Sequence, residues 1–541
     1  MSLISLLGLA VLLGLAWAMS YHRKDVKLRT VAWGIGLQFL FAVIILRQDA
    51  WSFAGMFVLA VLIGIYMLEQ PDSPWSGNRP AIIGVLAAVG LVTAGIAKLV
   101  PGLLPSLLVL LVVVLLVASR IGLPASARRL AGVLLVASLV AMLVSRGLYG
   151  QFVFRAFSDK VAAFLNLSDY GAQFIFGNLV DPQYFFTGAD AGWPGFGVQF
   201  GFKVLPTIVF FGGFMSVLYY LGIVQKVIET LSRFMRWTIG ASGAETLSCS
   251  ANIFVGQTEA PLLIKPFLDK MTKSELTTIM VGGFATIAGG VLAGYIAFGV
   301  PAGHLVAASV MSAPAALVIG KLIYPELEHS ETAGDVELPE ISVGGNAIEA
   351  ASNGISDGLK LAINVGAMLV GFIALIAVVD VILNWADGWI DGRWLGGEYR
   401  DYAITGLSPA VGEYIGYFPG SLQTFFGTLL RPVAWVMGVP WADADKIGGL
   451  LGVKLSLNEF VAFGTLGSYI QNEVLSERAE VIATYAICGF ANFSSIGIQI
   501  GGISAIAPER RPDLAKVGLK AMFGGAIASA MTATIAGILI G

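Results

Sequence analysis

Asn252-Ile253-Phe254-Val255-Gly256-Gln257-Thr258-Glu259-Ala260-Pro261-Leu262-Leu263 places amides and a carboxylate at a Gly/Pro turn. The flanks, Leu247–Val255 and Leu262–Leu268, are each too short to cross a hydrocarbon layer of about 30 Å. Two short helices meeting at a polar tip, a re-entrant hairpin, fit both facts. The setting makes the acid expensive. Burying an ionisable residue at mid-bilayer costs about 2.5–3.5 kcal/mol even on the lenient insertion scale, so Glu259 needs partners or a water-filled site.

That setting is a membrane because the rest of the chain leaves no other solvent for it. Of 541 residues, 57% are apolar and 12% charged, against about 25% charged in soluble proteins. The mean hydropathy is +0.82. This composition excludes a soluble enzyme, a nucleic-acid binder and a disordered regulator. A net charge of −3 offers no basic patch for polyanions. The two cysteines, Cys249 and Cys488, form no CxxC pair, and His22, His304 and His329 lie too far apart in sequence to suggest a metal site. Only helices and closed barrels satisfy their backbone in lipid. The apolar runs here are long and unbroken, not alternating as barrel strands do, so the expected fold is an all-α polytopic membrane protein.

The first run, Leu3–Met19, is followed by the basic stretch Tyr21–Arg29, which the positive-inside rule keeps in the cytoplasm, with the N-terminus outside. Ala16-Trp17-Ala18 resembles a signal cleavage site, but no basic residue precedes the run and the charge comes after it, which favours a membrane helix. Runs follow at Val31–Leu46, Ser52–Leu68, Ala81–Leu99, Leu103–Ser119 and Leu130–Ser145. Residues 148–200 read as surface-lying amphipathic helices. Further spans are expected at Val204–Ile223, 277–299, 302–323, 358–384, 481–499 and 514–540. The stretch 325–357 reads as an acidic solvated loop running into an amphipathic helix. The resulting segments are 1–47, 48–147 with about four helices, 148–240, 241–323, 324–446 and 447–541.

A second polar segment, Lys454-Leu455-Ser456-Leu457-Asn458-Glu459-Phe460, sits between apolar flanks like the first. Each is followed by a polar or glycine-rich break in an apolar helix. The breaks are Phe284-Ala285-Thr286-Ile287-Ala288-Gly289-Gly290 and Gly489-Phe490-Ala491-Asn492-Phe493-Ser494-Ser495-Ile496-Gly497. The order of hairpin then interrupted helix therefore occurs twice. Internal repeats with interrupted elements that hold substrate and ion are the build of secondary transporters. Asn252 and Asn492 also admit a plainer role as hydrogen-bond glue between helices, and Gly289-Gly290 a role in close packing.

These motifs, in this order, closely resemble the concentrative nucleoside transporters, which are cation–nucleoside symporters. The match is strong over residues 150–541, and residues 1–47 resemble that family's first two helices. The resemblance implies a homotrimer in a plasma membrane, the inner membrane of a bacterium, with both termini outside. It implies a scaffold domain, and a mobile transport domain carrying two re-entrant hairpins and interrupted helices related by an internal inverted repeat. It further implies that Gln257, Thr258, Glu259 and Val291 contact the nucleoside, that Glu459, Asn492 and Ser495 hold the ribose hydroxyls, and that Phe490 lines the pocket. Sodium would take the side chains of Asn252 and Thr286 and the carbonyls of Val255 and Ile287, with no organic cofactor. The chemistry suits this set: a carboxylate accepts two hydrogen bonds from a vicinal diol, and a hard cation prefers oxygen ligands.

Residues 48–147 depart from the simpler members of that family by about four added apolar runs, an even number that preserves downstream orientation. Proton coupling is the alternative to sodium. Of other classes, an intramembrane enzyme would need an acid cluster or a histidine beside the acids, which the sequence does not supply near Glu259 or Glu459. A nucleoside-sensing receptor would bind without net flux.

Overall fold

The computed structural model describes residues 2–70, 73–118, 122–181, 200–334, 344–398 and 416–540. Every regular element among them is helical. Among the described residues, nine helices are long and apolar enough to cross a membrane. Ser2–Ala18 and Leu103–Val117 are apolar but shorter, at 17 and 15 residues. Residues 182–199, part of the expected amphipathic region, lie outside the described residues. Gly150–Leu165 and Ser168–Phe176 are the helices of that region that are described.

The chain divides into two compact units, residues 39–157 and residues 1–38 with 158–541. The smaller unit holds the helices Ala50–Leu68, Arg79–Leu99, Leu103–Val117 and Ala125–Ser145. Asp49 and Asn78 cap the first two, accepting from the N–H groups of Trp51 and Ala81 at 3.1 and 3.2 Å, which satisfies donors that lipid could not. Leu68, Ile82, Val89 and Val133 form its buried core. Glycine sets the spacing there: a Cβ at Gly64 would lie 2.5 Å from Leu86 Cδ2, the close approach that membrane helices use in place of a hydrophobic driving force.

The larger unit runs through one sequence of elements twice. The first pass is a hairpin, Gly243–Ala251 and Ala260–Lys270, then a broken helix, Lys273–Ala285 and Gly289–Ala297, then the whole helix Ala302–Ile323. The second pass is a hairpin, Ala444–Ser456 and Glu459–Gln471, a broken helix, Glu477–Ile487 and Phe493–Ile506, then the whole helix Arg511–Leu539. The second arm of the first hairpin is a 3-10 helix. Pro261 and Pro266 fall within it, and each removes an N–H that an α-helical ladder would use. Arg511–Leu539 packs against the first half of both broken helices and against Ala302–Ile323 and Ser2–Ala18. Gly525 faces Phe284 there, with room for no Cβ: one would come within 2.3 Å of Phe284 Cβ.

Three elements differ from the sequence expectation. Ala347–Trp389 is one helix of 43 residues that starts at an Asn346 cap, well ahead of the expected 358. The amphipathic stretch and the span are therefore continuous. Gly354 and Gly358 serve it as a packing surface: Cβ atoms on them would lie 2.5 Å from Gly212 O and 3.0 Å from Val209 Cα in Leu205–Tyr220. The expected Val204–Ile223 span ends at Tyr220, where Gly222 at φ +71° turns the chain into a separate amphipathic helix, Ile223–Ile239. Leu422–Val436, begun by a capping box at Ser421, was not anticipated in the connection before residue 446. Gly452 of the second hairpin sits directly on its Phe426.

Candidate functional site

The two broken helices meet at their breaks. Thr286 and Ala288 take extended backbone angles, as does Asn492. The Phe490 N–H donates to the Thr286 carbonyl at 3.2 Å. Gly489, at φ +146°, allows this approach, since a Cβ there would lie 2.7 Å from Phe284 O and 2.8 Å from Ser529 Oγ. Ser529 donates to the freed carbonyl of Cys488 at 2.9 Å. On the other side, the Gly289 N–H donates to Phe254 O at 3.2 Å, so the turn of the first hairpin rests on the same region.

Glu459 opens the second arm of the second hairpin. Asn458 caps that arm, accepting from Val461 N–H at 3.0 Å, and the helix N-terminus favours the carboxylate beside it. Glu459 is 5% exposed. Its Oε1 accepts from Tyr295 Oη at 3.2 Å and its Oε2 from Asn492 Nδ2 at 3.3 Å. Asn492 in turn caps Phe493–Ile506, its Oδ1 accepting from Ser495 N–H at 2.9 Å and Ser494 Oγ at 2.8 Å. Ser495 Oγ accepts from Gln257 Nε2 at 3.3 Å, which brings in the first hairpin. Gln257, Ser495, Asn492 and Glu459 thus form one hydrogen-bonded series drawn from both hairpins and the second break. Val291 and Tyr295 lie one turn apart on Gly289–Ala297, both buried. Phe490 is half-buried, and Thr258 packs on Gly502, where a Cβ would lie 2.9 Å from Thr258 Cγ2.

Glu259 stands apart from this series. It is exposed, and its carboxylate turns back to accept from the Gly256 N–H. It faces a cavity of about 350 Å³ between the first hairpin and the helices Leu205–Tyr220 and Ala347–Trp389, which Tyr219, Ser216 and Asp357 also line.

Asn252, Thr286, Val255 and Ile287 fall at the end of the first hairpin arm, its turn and the first break. Asn252 is 1% exposed, and neither its Oδ1 nor its Nδ2 has a hydrogen-bond partner. Such orphaned groups are rare because they cost about 1–3 kcal/mol each. Gly282 links it to Thr286: a Cβ on Gly282 would lie 3.4 Å from Asn252 Nδ2, and the Gly282 carbonyl accepts from Thr286 Oγ1 at 2.9 Å. Thr286 spends its proton there, which leaves its oxygen able only to accept. An unsatisfied amide oxygen, a hydroxyl oxygen and backbone carbonyls are the kinds of neutral donor that a small hard cation takes. No cluster of three His, Cys, Asp or Glu side chains occurs among the described residues.

Three buried polar residues at this centre were given no role by the sequence reading. Tyr295 holds Glu459 and stacks on Phe463 with centroids 4.2 Å apart. Lys454, 1% exposed, donates to Ala486 O at 2.9 Å and so ties the second hairpin to the end of Glu477–Ile487. Gln499 bonds Gln257 at 3.0 Å. Two of them lay within reach of a helical-face argument: Tyr295 follows Val291 by four, and Gln499 follows Ser495 by four.

Repeated hairpins and broken helices, with polar side chains gathered where the breaks touch, define a polytopic membrane protein of the secondary-transporter class. The family models described as Na+ dependent nucleoside transporter N-terminus, nucleoside recognition (Gate) and Na+ dependent nucleoside transporter C-terminus match residues 7–62, 201–302 and 304–537. An uncharacterized transporter of Haemophilus influenzae is 42% identical over 424 residues, covering 77% of this chain and 92% of that protein. Sodium/nucleoside cotransporter 1 of Mus musculus is 41% identical over 416 residues, covering 74% of this chain and 58% of that protein. The solved structure of CNTnw in an inward-facing substrate-bound state is 32% identical with a TM-score of 0.68, covering 100% of this chain and 98% of that one. A CNTnw variant in an outward-facing state gives 0.69 at 32% identity, covering 99% and 97%. The chain belongs to the concentrative nucleoside transporter family, and it is not an enzyme.

Proposed function

We propose that this chain imports nucleosides by sodium symport across a plasma membrane, the inner membrane of a bacterium, with both termini outside. The observation that carries this is the hydrogen-bonded series Gln257–Ser495–Asn492–Glu459–Tyr295, joined through the Phe490–Thr286 backbone bond to the break that borders the orphaned Asn252. Glu459, Asn492 and Ser495 hold the ribose hydroxyls. Gln257, Thr258 and Val291 meet the base and Phe490 walls the pocket, while Glu259, which in this structure faces the neighbouring cavity, reaches the nucleoside once its side chain turns off Gly256. Sodium sits on Asn252, Thr286 and the carbonyls of Val255 and Ile287. Filling it stiffens the turn that carries Gln257, which raises nucleoside affinity, and by linkage the nucleoside raises sodium affinity equally.

Residues 241–323 and 447–541 act as a transport domain whose re-entrant hairpins carry the cargo in an elevator-type movement. The segments 1–47, 148–240 and 324–446 serve as a scaffold that forms a homotrimer, and 48–147 is an inserted membrane region. One charge moving through 100 mV yields about 2.3 kcal/mol, enough for roughly 50-fold accumulation. Uptake of labelled uridine in sodium against choline buffer at fixed pH tests the coupling. Sodium-dependent uptake supports it. Uptake that ignores sodium and follows pH replaces it with proton coupling.

A further inference from the structure

Gln499 lies one turn beyond Ser495 on Phe493–Ile506 and is 1% exposed. Its Nε2 donates twice, to the Met280 carbonyl at 3.2 Å and to Gln257 Oε1 at 3.0 Å. Gln257 Nε2 then donates to Ser495 Oγ at 3.3 Å. The first hairpin and both broken helices therefore converge on one amide. Gly283 makes the space: a Cβ there would lie 2.6 Å from Gln499 Nε2 and 3.0 Å from Gln257 Cβ.

A backbone carbonyl can only accept. The Met280 carbonyl therefore holds the NH2 end of Gln499 on its side. The same NH2 reaches Gln257, which must offer its oxygen in return. The NH2 of Gln257 is then turned toward Ser495, whose hydroxyl accepts and keeps its own proton for another acceptor. The two ends of an amide are distinguished by their partners, and this series of partners begins at an atom with no alternative. Gln499 Oε1 is buried with no partner, one more acceptor in the same cluster.

The geometry points to Gln499 as a positioning residue that sets nucleoside specificity by fixing the donor–acceptor sense of Gln257 and Ser495. This rests on the nucleoside symport proposed above. A glutamine without such an anchor rotates its amide and serves either sense; Gln257 is held to one. Uridine and cytidine have the same shape and opposite polarity at one base edge, N3–H and C4=O in uridine, N3 and C4–NH2 in cytidine. A held amide separates them, and a free one does not.

The test is uptake of labelled uridine and cytidine, each over a concentration series, in proteoliposomes of the wild type, Gln499→Met and Gly283→Ala. The second variant presses a methyl against the Gln499 amide and Gln257 Cβ, loosening the pair without deleting either amide. The wild type is expected to separate the two KM values by about fivefold or more, the scale of one mismatched hydrogen bond. Both variants are expected to bring the ratio within about twofold of one, since the mismatch no longer applies. A wild-type ratio already near one, or variants that raise both KM values in proportion, overturns the assignment and leaves Gln499 a packing residue. If Gln499→Met does not reach the membrane, Gly283→Ala and the wild-type ratio decide. A wild type that moves neither nucleoside overturns the proposed function itself, a result distinct from an unchanged ratio.

Discussion

Glu459→Gln tests the proposed placement of the ribose at Glu459. The carboxylate has two acceptor oxygens, engaged by Tyr295 at 3.2 Å and Asn492 at 3.3 Å. An amide keeps the shape but has one acceptor oxygen, so one donor faces an N–H and, on the proposed placement, one sugar hydroxyl loses its charged partner. A hydrogen bond to a charged group is worth about 1.5–3 kcal/mol, which corresponds to roughly 10- to 150-fold in affinity. The assay compares KM for uridine and 2′,3′-dideoxyuridine in the wild type and the variant, with the amount of protein in the membrane measured alongside. The analogue has no diol to lose, so uridine's advantage over it is expected to shrink by that factor while the analogue's own KM stays near its wild-type value. Treating the pair as a double-mutant cycle removes any general effect on the site. Equal losses for both compounds refute the placement of the ribose at Glu459.

Asn252→Ala is expected to raise the sodium concentration for half-maximal uptake by about tenfold, the equivalent of ~1.4 kcal/mol, with little change in uridine KM at saturating sodium; a sodium titration of uptake checks it. Tyr295→Phe keeps the ring on Phe463 and removes one donor to Glu459, so uridine KM should rise several-fold at unchanged protein level, as read by uptake and immunoblot. Gly489→Ala forces a side chain into a φ of +146° against Phe284 O and Ser529; strain of about 1–3 kcal/mol should lower the Tm of the detergent-solubilised protein. Gly354→Ala drives a methyl to 2.5 Å from Gly212 O and should likewise lower Tm, by the overpacking cost of about 1–3 kcal/mol.

The apolar spans were legible because a bilayer imposes length and continuity that sequence displays directly. The hairpins were legible for the opposite reason: Glu259 and Glu459 violate that rule beside Gly, Pro and Asn, and few folds tolerate the violation. What stayed hidden depends on neighbours. Gln499 and Tyr295 look like single polar residues in apolar helices until Gln257 and Glu459 are placed against them. Gly354 and Gly358 of Ala347–Trp389 look like weak points until Leu205–Tyr220 packs onto them. Leu422–Val436 carries Arg431 and Pro432, so its composition resembles a connection. The outward turn of Glu259 onto Gly256 is a matter of side-chain rotation that no spacing encodes.

The helix Ala347–Trp389 has a practical use that follows from its length. At 43 residues it extends about 65 Å, roughly twice the depth of the oily layer, so it either leans steeply or projects well into water. Ser352 and Ser356 sit exposed on its polar end, while the two natural thiols, Cys249 and Cys488, are wholly shielded. A dye or spin label attached to a cysteine introduced at Ser352 would therefore go to one address without stripping the native sulfur atoms. It would report tilt from a post rooted in the same seam of glycines that borders the Glu259 cavity.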